Sequence, residues 1–358
     1  MKSQDTMIDC LVIGGGIIGS WVAYLASQKG LSVAVCDLFD GKSISERNSG
    51  VLHAGIYYPE NSLKAFHCVR GRELAEDFFK KNSIPYSICG KLIVGHSADE
   101  EQIHTLLENG KRNGSKGLEL TSRLSQFSDR IRGSIALHST RTGVVDVSEY
   151  LRILRHLCEL EGVTFLRGQK VIAVEGTKNV LIQRPDGEDW IQAQYVVNAA
   201  GLHSDEIARL FGFNEFEIRP NRGEYYRLTR PLPIQKLIYP VPKKEQKGAL
   251  GVHYTFHLNG EAYAGPNSIQ AEHKQDYSIT ASAQDFQQSL SQILDGYPIE
   301  SFQTGYSGLR PRLYDLKGNH ISDFKICESP AGVWHLLGIE SPGLTSSPSL
   351  ARAVVEKF

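Results

Sequence analysis

The sequence predicts a mixed α/β (α+β) chain in which a nucleotide-binding type of domain is interleaved with a β-rich one. Three observations carry this reading. The chain opens on a strand, a glycine-rich turn, a helix and a second strand ending in an acid, "DCLVIGGGIIGSWVAYLASQKGLSVAVCD". Apolar strands that end in small residues recur mid-chain and near the end, in "YVVNAAG" and "VWHLLG". Between them lie alternating stretches rich in prolines and tyrosines, the pattern of antiparallel sheet.

Taken in order, residues 8–13 form a short apolar run suited to a buried parallel strand. Residues 17–29 have helical spacing and end at Gly30, and residues 31–36 give a second apolar strand. A helix is expected over 63–81, a strand at "CGKLIVG", and a helix over 100–113. Ser148 is the expected N-cap of a helix over 148–161. The stretch from Lys170 to Gly201 alternates and turns at Asp186-Gly187. "LHSDEIARLFG" reads as a short helix, residues 219–266 as β-rich, 283–294 as helical, and the tail as strand, glycine turn and final helix. The interleaving places one domain at 1–80, 145–210 and 300–358 and the other at 81–144 and 211–299.

Composition narrows the function. A chain of 358 residues with net charge −1 carries no bulk electrostatic footprint for nucleic acid. Six scattered cysteines (Cys10, Cys36, Cys68, Cys89, Cys158 and Cys327) form no C-x-x-C pair, and they read as reduced thiols with no metal site. "MKSQDTMI" is too short for a signal peptide, and no run reaches the roughly 18 apolar residues of a membrane span. A cytoplasmic protein is expected, with peripheral membrane contact left open.

Gly14, Gly16 and Gly19 spell G-x-G-x-x-G after a strand and at the start of a helix. Gly14 permits the tight turn, Gly16 lets backbone approach a pyrophosphate, and Gly19 lets the helix pack on the strand. The helix start at Ile17 and Ile18 offers unsatisfied N–H groups to phosphate. Asp37, closing the second strand, is placed to accept ribose hydroxyls. This pattern alone does not separate NAD from FAD.

Further stretches separate them. "ERNSGVLHAGIYYPENSLKAFHCVRGREL", "VVNAAGLHSDEIARLFG", "GYSGLRPRL" and "GIESPGLTSSPSLA", together with "GGGIIG", resemble the FAD-dependent oxidoreductases of the D-amino-acid oxidase superfamily. Within it, "RNSGVLHAGIYYP", "CGKLIVG", "LGVHYTFHLNGEAYAGPN" and "GIESPGLTSS" look like the L-2-hydroxyglutarate dehydrogenase/oxidase family. The resemblance implies a Rossmann-like FAD-binding domain interleaved with a β-rich substrate domain, and FAD held non-covalently. It assigns Arg47, Asn48, Ser49 and Gly50 to the pyrophosphate and the underside of the flavin, with His53 close to the ring. It brings Val171, Ala200, Gly201 and Gly308 near the cofactor, and sets Gly343, Leu344 and Thr345 at a helix start facing the flavin edge.

Oxidation of a 2-hydroxy acid needs a cation for the carboxylate, a base for the hydroxyl proton, and Cα–H facing flavin N5. The resemblance places the carboxylate on Arg310 of "GLRPR", leaving Arg312 structural. His253 and His53 are the candidate bases, histidine being the side chain that titrates near working pH. Tyr57, Tyr254 and Tyr263 are candidates to line the substrate pocket, with aromatic packing as the alternative role. A second substrate carboxylate would need a further cation, for which Arg222 and Lys91 both qualify. The expected reaction is oxidation of L-2-hydroxyglutarate, or a related 2-hydroxy acid, to 2-oxoglutarate. Electrons would pass on to oxygen, a quinone or another carrier. Two rivals stand beside it: an amino-acid or sarcosine-type amine oxidase on the same fold, and a flavin-binding protein without turnover.

Overall fold

The computed structural model describes residues 6–38, 43–230, 232–243 and 250–358. The lead-in 1–5 lies outside the described residues. The chain divides into two compact units. One comprises Met1–Glu46, Val147–Pro220 and Arg310–Phe358; the other comprises Arg47–Asp146 and Asn221–Leu309. Two of the four crossings between them fall inside long strands, Phe216–Leu228 and Phe302–Asp315. The sequence reading puts residues 47–80 with the first unit. Here they cluster with the second, where Val51, Ala54 and Ile56 pack with Ile93, Leu137 and Tyr239.

The first unit is built on the sheet that the opening residues predict. Thr6–Ile13 pairs in parallel with Val33–Asp37 on one side and with the end of Gly187–Asn198 on the other. Val33–Asp37 continues in parallel to Thr164–Arg167, and Gly187–Asn198 to Val333–Leu337. Such a sheet is apolar on both faces, and Leu11, Ile13, Ala34, Val196 and Val333 are fully or nearly buried in one core cluster. Helix Ile17–Gln28 supplies the crossover between the first two strands and packs with helices Val147–Leu160 and Gly343–Val355. Val147–Leu160 starts one residue earlier than the sequence reading has it, so Ser148 sits in its first turn and is not the cap. The hairpin expected at Asp186-Gly187 pairs Arg184 with Gly187, leaving Pro185 and Asp186 as its loop.

The second unit carries a mostly antiparallel sheet through Phe216–Leu228, Ala262–Gly265, His253–Phe256, Leu237–Pro240, Lys91–Gly95, Ile135–Ser139 and Leu118–Thr121. Its period-2 alternation sorts the side chains. Leu92, Val94, Ile238, Tyr254 and Ala264 face one apolar cluster, which Phe286 and Leu290 of helix Ala283–Ser291 complete. Ile93, Leu237 and Tyr239 face the other. Among the described residues, no helix is long and apolar enough to cross a membrane.

Candidate active site and cofactor cradle

In the first unit the glycine turn is held by close backbone packing. Gly14 has φ +107°, and a Cβ there would lie 2.4 Å from the Ala199 carbonyl oxygen. A Cβ on Gly19 would lie 1.8 Å from the Gly14 carbonyl oxygen. The "VVNAAG" strand end is thus pressed onto the turn, with the Ala199 N–H donating to Ile13 O at 2.8 Å. Asp37 Oδ2 accepts the Gly15 N–H at 2.7 Å, and Ser45 Oγ accepts the Ile17 N–H at 2.9 Å at the helix start. Arg155 donates to the Gly15 carbonyl at 2.8 Å. Val171 is buried in the sheet's core, and Gly201 has φ +57° beside Ile44. At the far end of the chain, Gly343 opens the last helix, Leu344 is half-buried, and Thr345 and Ser346 are fully buried. Ser346 Oγ has no hydrogen-bond partner among the described residues. Arg310 is half-buried in this unit.

In the second unit, Arg47, Asn48, Ser49 and Gly50 form a turn in which the Gly50 N–H donates to Asn48 Oδ1 at 2.8 Å. The Tyr306 hydroxyl donates to Asn48 O at 3.2 Å, and the Arg47 guanidinium lies 4.5 Å from the Tyr277 ring centre. A Cβ on Gly308 would lie 2.1 Å from Arg47 O, so that glycine is demanded by the turn's own backbone.

The same unit assembles a cationic cluster. Sheet register sets Tyr239 opposite Ile93, and the pairing of Ile238 with Tyr254 brings the next pair, Tyr239 and His253, side by side. Their rings stack at 3.6 Å. His253 Nδ1 is 2.8 Å from Gly251 O. A carbonyl only accepts, so Nδ1 donates to it. Lys91, two residues before Ile93 and on its face, is 1 % exposed. Its ammonium lies 4.4 Å from the Tyr57 ring centre and 4.8 Å from that of Tyr239. Burial presses the Lys91 pKa down to about 7. Burial, then Lys91, His253 and Arg72 in that order, hold the His53 imidazole well below the usual histidine range. His53 is therefore neutral at pH 7.

Two tyrosine candidates part company here. Tyr254 points to the opposite sheet face from His253, into the core with Tyr297 and Phe256, which is a packing role. Tyr263 is buried beside Tyr306 and His257, its hydroxyl donating to Glu261 at 3.1 Å. Arg222 is already committed, to Glu224 at 2.9 Å, to Asp276, and to Thr280 at 2.9 Å.

The profile of the family described as FAD dependent oxidoreductase matches residues 9–357. The chain belongs to this family. L-2-hydroxyglutarate dehydrogenase from Arabidopsis thaliana is 32 % identical to it, over 98 % of this chain and 83 % of the relative. The protein of the same name from Indibacter alkaliphilus is 28 % identical, over 97 % of both. Among solved structures, FAD-bound L-alpha-glycerophosphate oxidase from Mycoplasma pneumoniae superposes with TM-score 0.87 at 22 % identity, over 98 % of this chain and 95 % of that one. Glycine oxidase from Bacillus cereus gives 0.79 at 18 %, over 98 % and 96 %. These two likenesses establish the fold.

This FAD-dependent oxidoreductase has the features its cofactor requires. The Gly14 to Gly19 turn leaves no room for side chains against its own backbone, and a turn so packed at a helix start would suit a dinucleotide's phosphates. Ser346, a buried hydroxyl with no hydrogen-bond partner among the described residues, stands in the first turn of the closing helix. Ser45, Arg155 and Arg72 escape the sequence reading. Ser45 and Arg155 act on Ile17 and Gly15, 28 and 140 residues away, through folding alone. Arg72 had a local signal, since Glu76 follows at helical i+4 spacing and pairs with it at 3.6 Å.

Proposed function

We propose that this chain oxidises L-2-hydroxyglutarate to 2-oxoglutarate. The observation that carries the reading is a neutral imidazole, His53, kept deprotonated among Lys91 and Arg72 in one buried cluster. Such a field attracts carboxylates and leaves a histidine free to take a proton. When two carboxylates enter, they compensate the cations and raise the basicity of His53 toward working pH. His53 is placed to accept the hydroxyl proton, and FAD, when bound, would supply the two-electron acceptor for the C2 hydride. His253, its Nδ1–H donating to Gly251 O and its ring stacked on Tyr239, is a fixed wall of the same buried cluster. Arg310 fixes the carboxylate beside the reacting carbon. The curated relatives named for this dehydrogenase support the substrate.

Anaerobic mixing with L-2-hydroxyglutarate should bleach the flavin absorbance, while the D enantiomer, sarcosine, glycine and proline should not. Unchanged absorbance with L-2-hydroxyglutarate would sink the proposal. His53→Asn should slow flavin reduction by about a hundredfold or more while retaining FAD; stopped-flow traces matching wild type would remove His53 from the mechanism. Arg310→Ala should raise KM for carboxylate substrates by about thirtyfold, as loss of a charge-assisted contact does. Steady-state kinetics decide it, and an unaltered KM transfers the carboxylate to another cation.

A further inference from the structure

Lys91 begins the strand Lys91–Gly95, every residue of which is buried. An ammonium in such a place normally has a carboxylate partner, because removing it from water costs several kcal/mol. Among the described residues Lys91 forms no ion pair; its contacts are the faces of Tyr57 and Tyr239. Cation–π contacts return only part of that cost. The contrast with the neighbouring cations is plain. Arg222 is engaged by Glu224, Asp276 and Thr280, and the Arg72 charge is paired with Glu76 at 3.6 Å, although its Nε and Nη2 have no hydrogen-bond partner among the described residues. The Tyr57 hydroxyl is buried with no hydrogen-bond partner among the described residues. A buried cation and a buried hydroxyl donor therefore belong to the same ring contact, and the described residues supply neither with an acceptor.

We infer that Lys91 Nζ, assisted by the Tyr57 hydroxyl, grips the substrate carboxylate remote from the reacting carbon, and that this contact selects dicarboxylic over monocarboxylic acids. The inference rests on the proposed hydroxy-acid reading for the identity of the acid, and on the cluster itself for the preference. Arg222, the other candidate cation, is excluded by its own three partners.

Calorimetric titration of the FAD-loaded protein with glutarate and with pentanoate separates the two. These share a five-carbon chain and differ by one carboxylate. Wild type should bind glutarate more tightly. Lys91→Met should weaken glutarate binding by about thirtyfold or more and leave pentanoate within about twofold, while Lys91→Arg should restore part of the glutarate affinity. Equal loss for both acids, no loss for glutarate, or a wild type that does not prefer glutarate would each overturn the assignment. A glutarate preference that depends on Lys91 in a protein whose flavin is not bleached by L-2-hydroxyglutarate would uphold the grip and overturn the proposed reaction.

Discussion

Gly19→Ala should yield a protein that purifies without FAD. The added methyl would sit 1.8 Å from the Gly14 carbonyl oxygen and 3.1 Å from Val12 Cγ1. The obstacle is backbone, so no rotamer change relieves it. Either the helix Ile17–Gln28 lifts off its strand or the turn at Gly14 opens. Both movements displace the N–H groups at the helix start, whose partial positive charge is the electrostatic part of phosphate binding. The flavin-to-protein absorbance ratio should fall close to zero, and affinity in reconstitution should drop by about a hundredfold or more, since two or more charge-assisted hydrogen bonds are lost. Gly30→Ala is the matched control. Its φ is +81°, but no atom lies within 4 Å of the added Cβ, so it should cost about 1 kcal/mol in backbone strain and retain FAD. Full flavin occupancy in Gly19→Ala, or equal flavin loss in both variants, would show that the turn does not govern cofactor binding.

The first unit was legible because its signals are local. A parallel strand buried on both faces is a continuous apolar run, and a crossover helix has its own period, so strand, turn and helix could each be read within a dozen residues. The boundary between units was less legible for a physical reason. Phe216–Leu228 and Phe302–Asp315 run through it without a break, and helix Leu63–Lys81, capped by Ser62, has the look of a crossover helix. Of the candidate site, the histidines and Tyr57 were found by their stretches, but Tyr254 and His253 are adjacent on one strand. Sheet alternation sends them to opposite faces. The choice between Arg222 and Lys91 was in reach: Arg222 and Glu224 stand two apart on a strand, hence on one face, and they do pair. Lys91 has no acid at either such position, Cys89 and Ile93 being its neighbours there.

Lys91→Met should make the ligand-free protein more stable, even as it removes the dicarboxylate preference. The Lys91 pKa falls from about 10.5 in the unfolded chain to about 7 in the fold, through burial. Between these values the unfolded chain holds a proton that the folded one has released, so wild-type stability rises with pH across the window. The destabilisation is present in full below pH 7 and is gone above about 10.5. Methionine, of similar length and uncharged, escapes it, so the variant's advantage should be about 2–4 kcal/mol at pH 7 and shrink steadily toward pH 10.5. The other groups facing Lys91 do not create this difference. Tyr57 and Tyr239 are pushed far up by burial, Cys68 is raised to about 12, and His53 is held low. Arg72, whose pKa burial lowers, and His253, fixed by Gly251 O, are common to both proteins. Urea unfolding of the two FAD-loaded proteins at several pH values measures the gap directly. A variant less stable than wild type at pH 7, or a gap that does not change with pH, would mean that Lys91 has its compensation within the chain. Glutarate should narrow the gap by stabilising wild type more than the variant, since a ligand that binds the folded wild type more tightly shifts its equilibrium further by mass action.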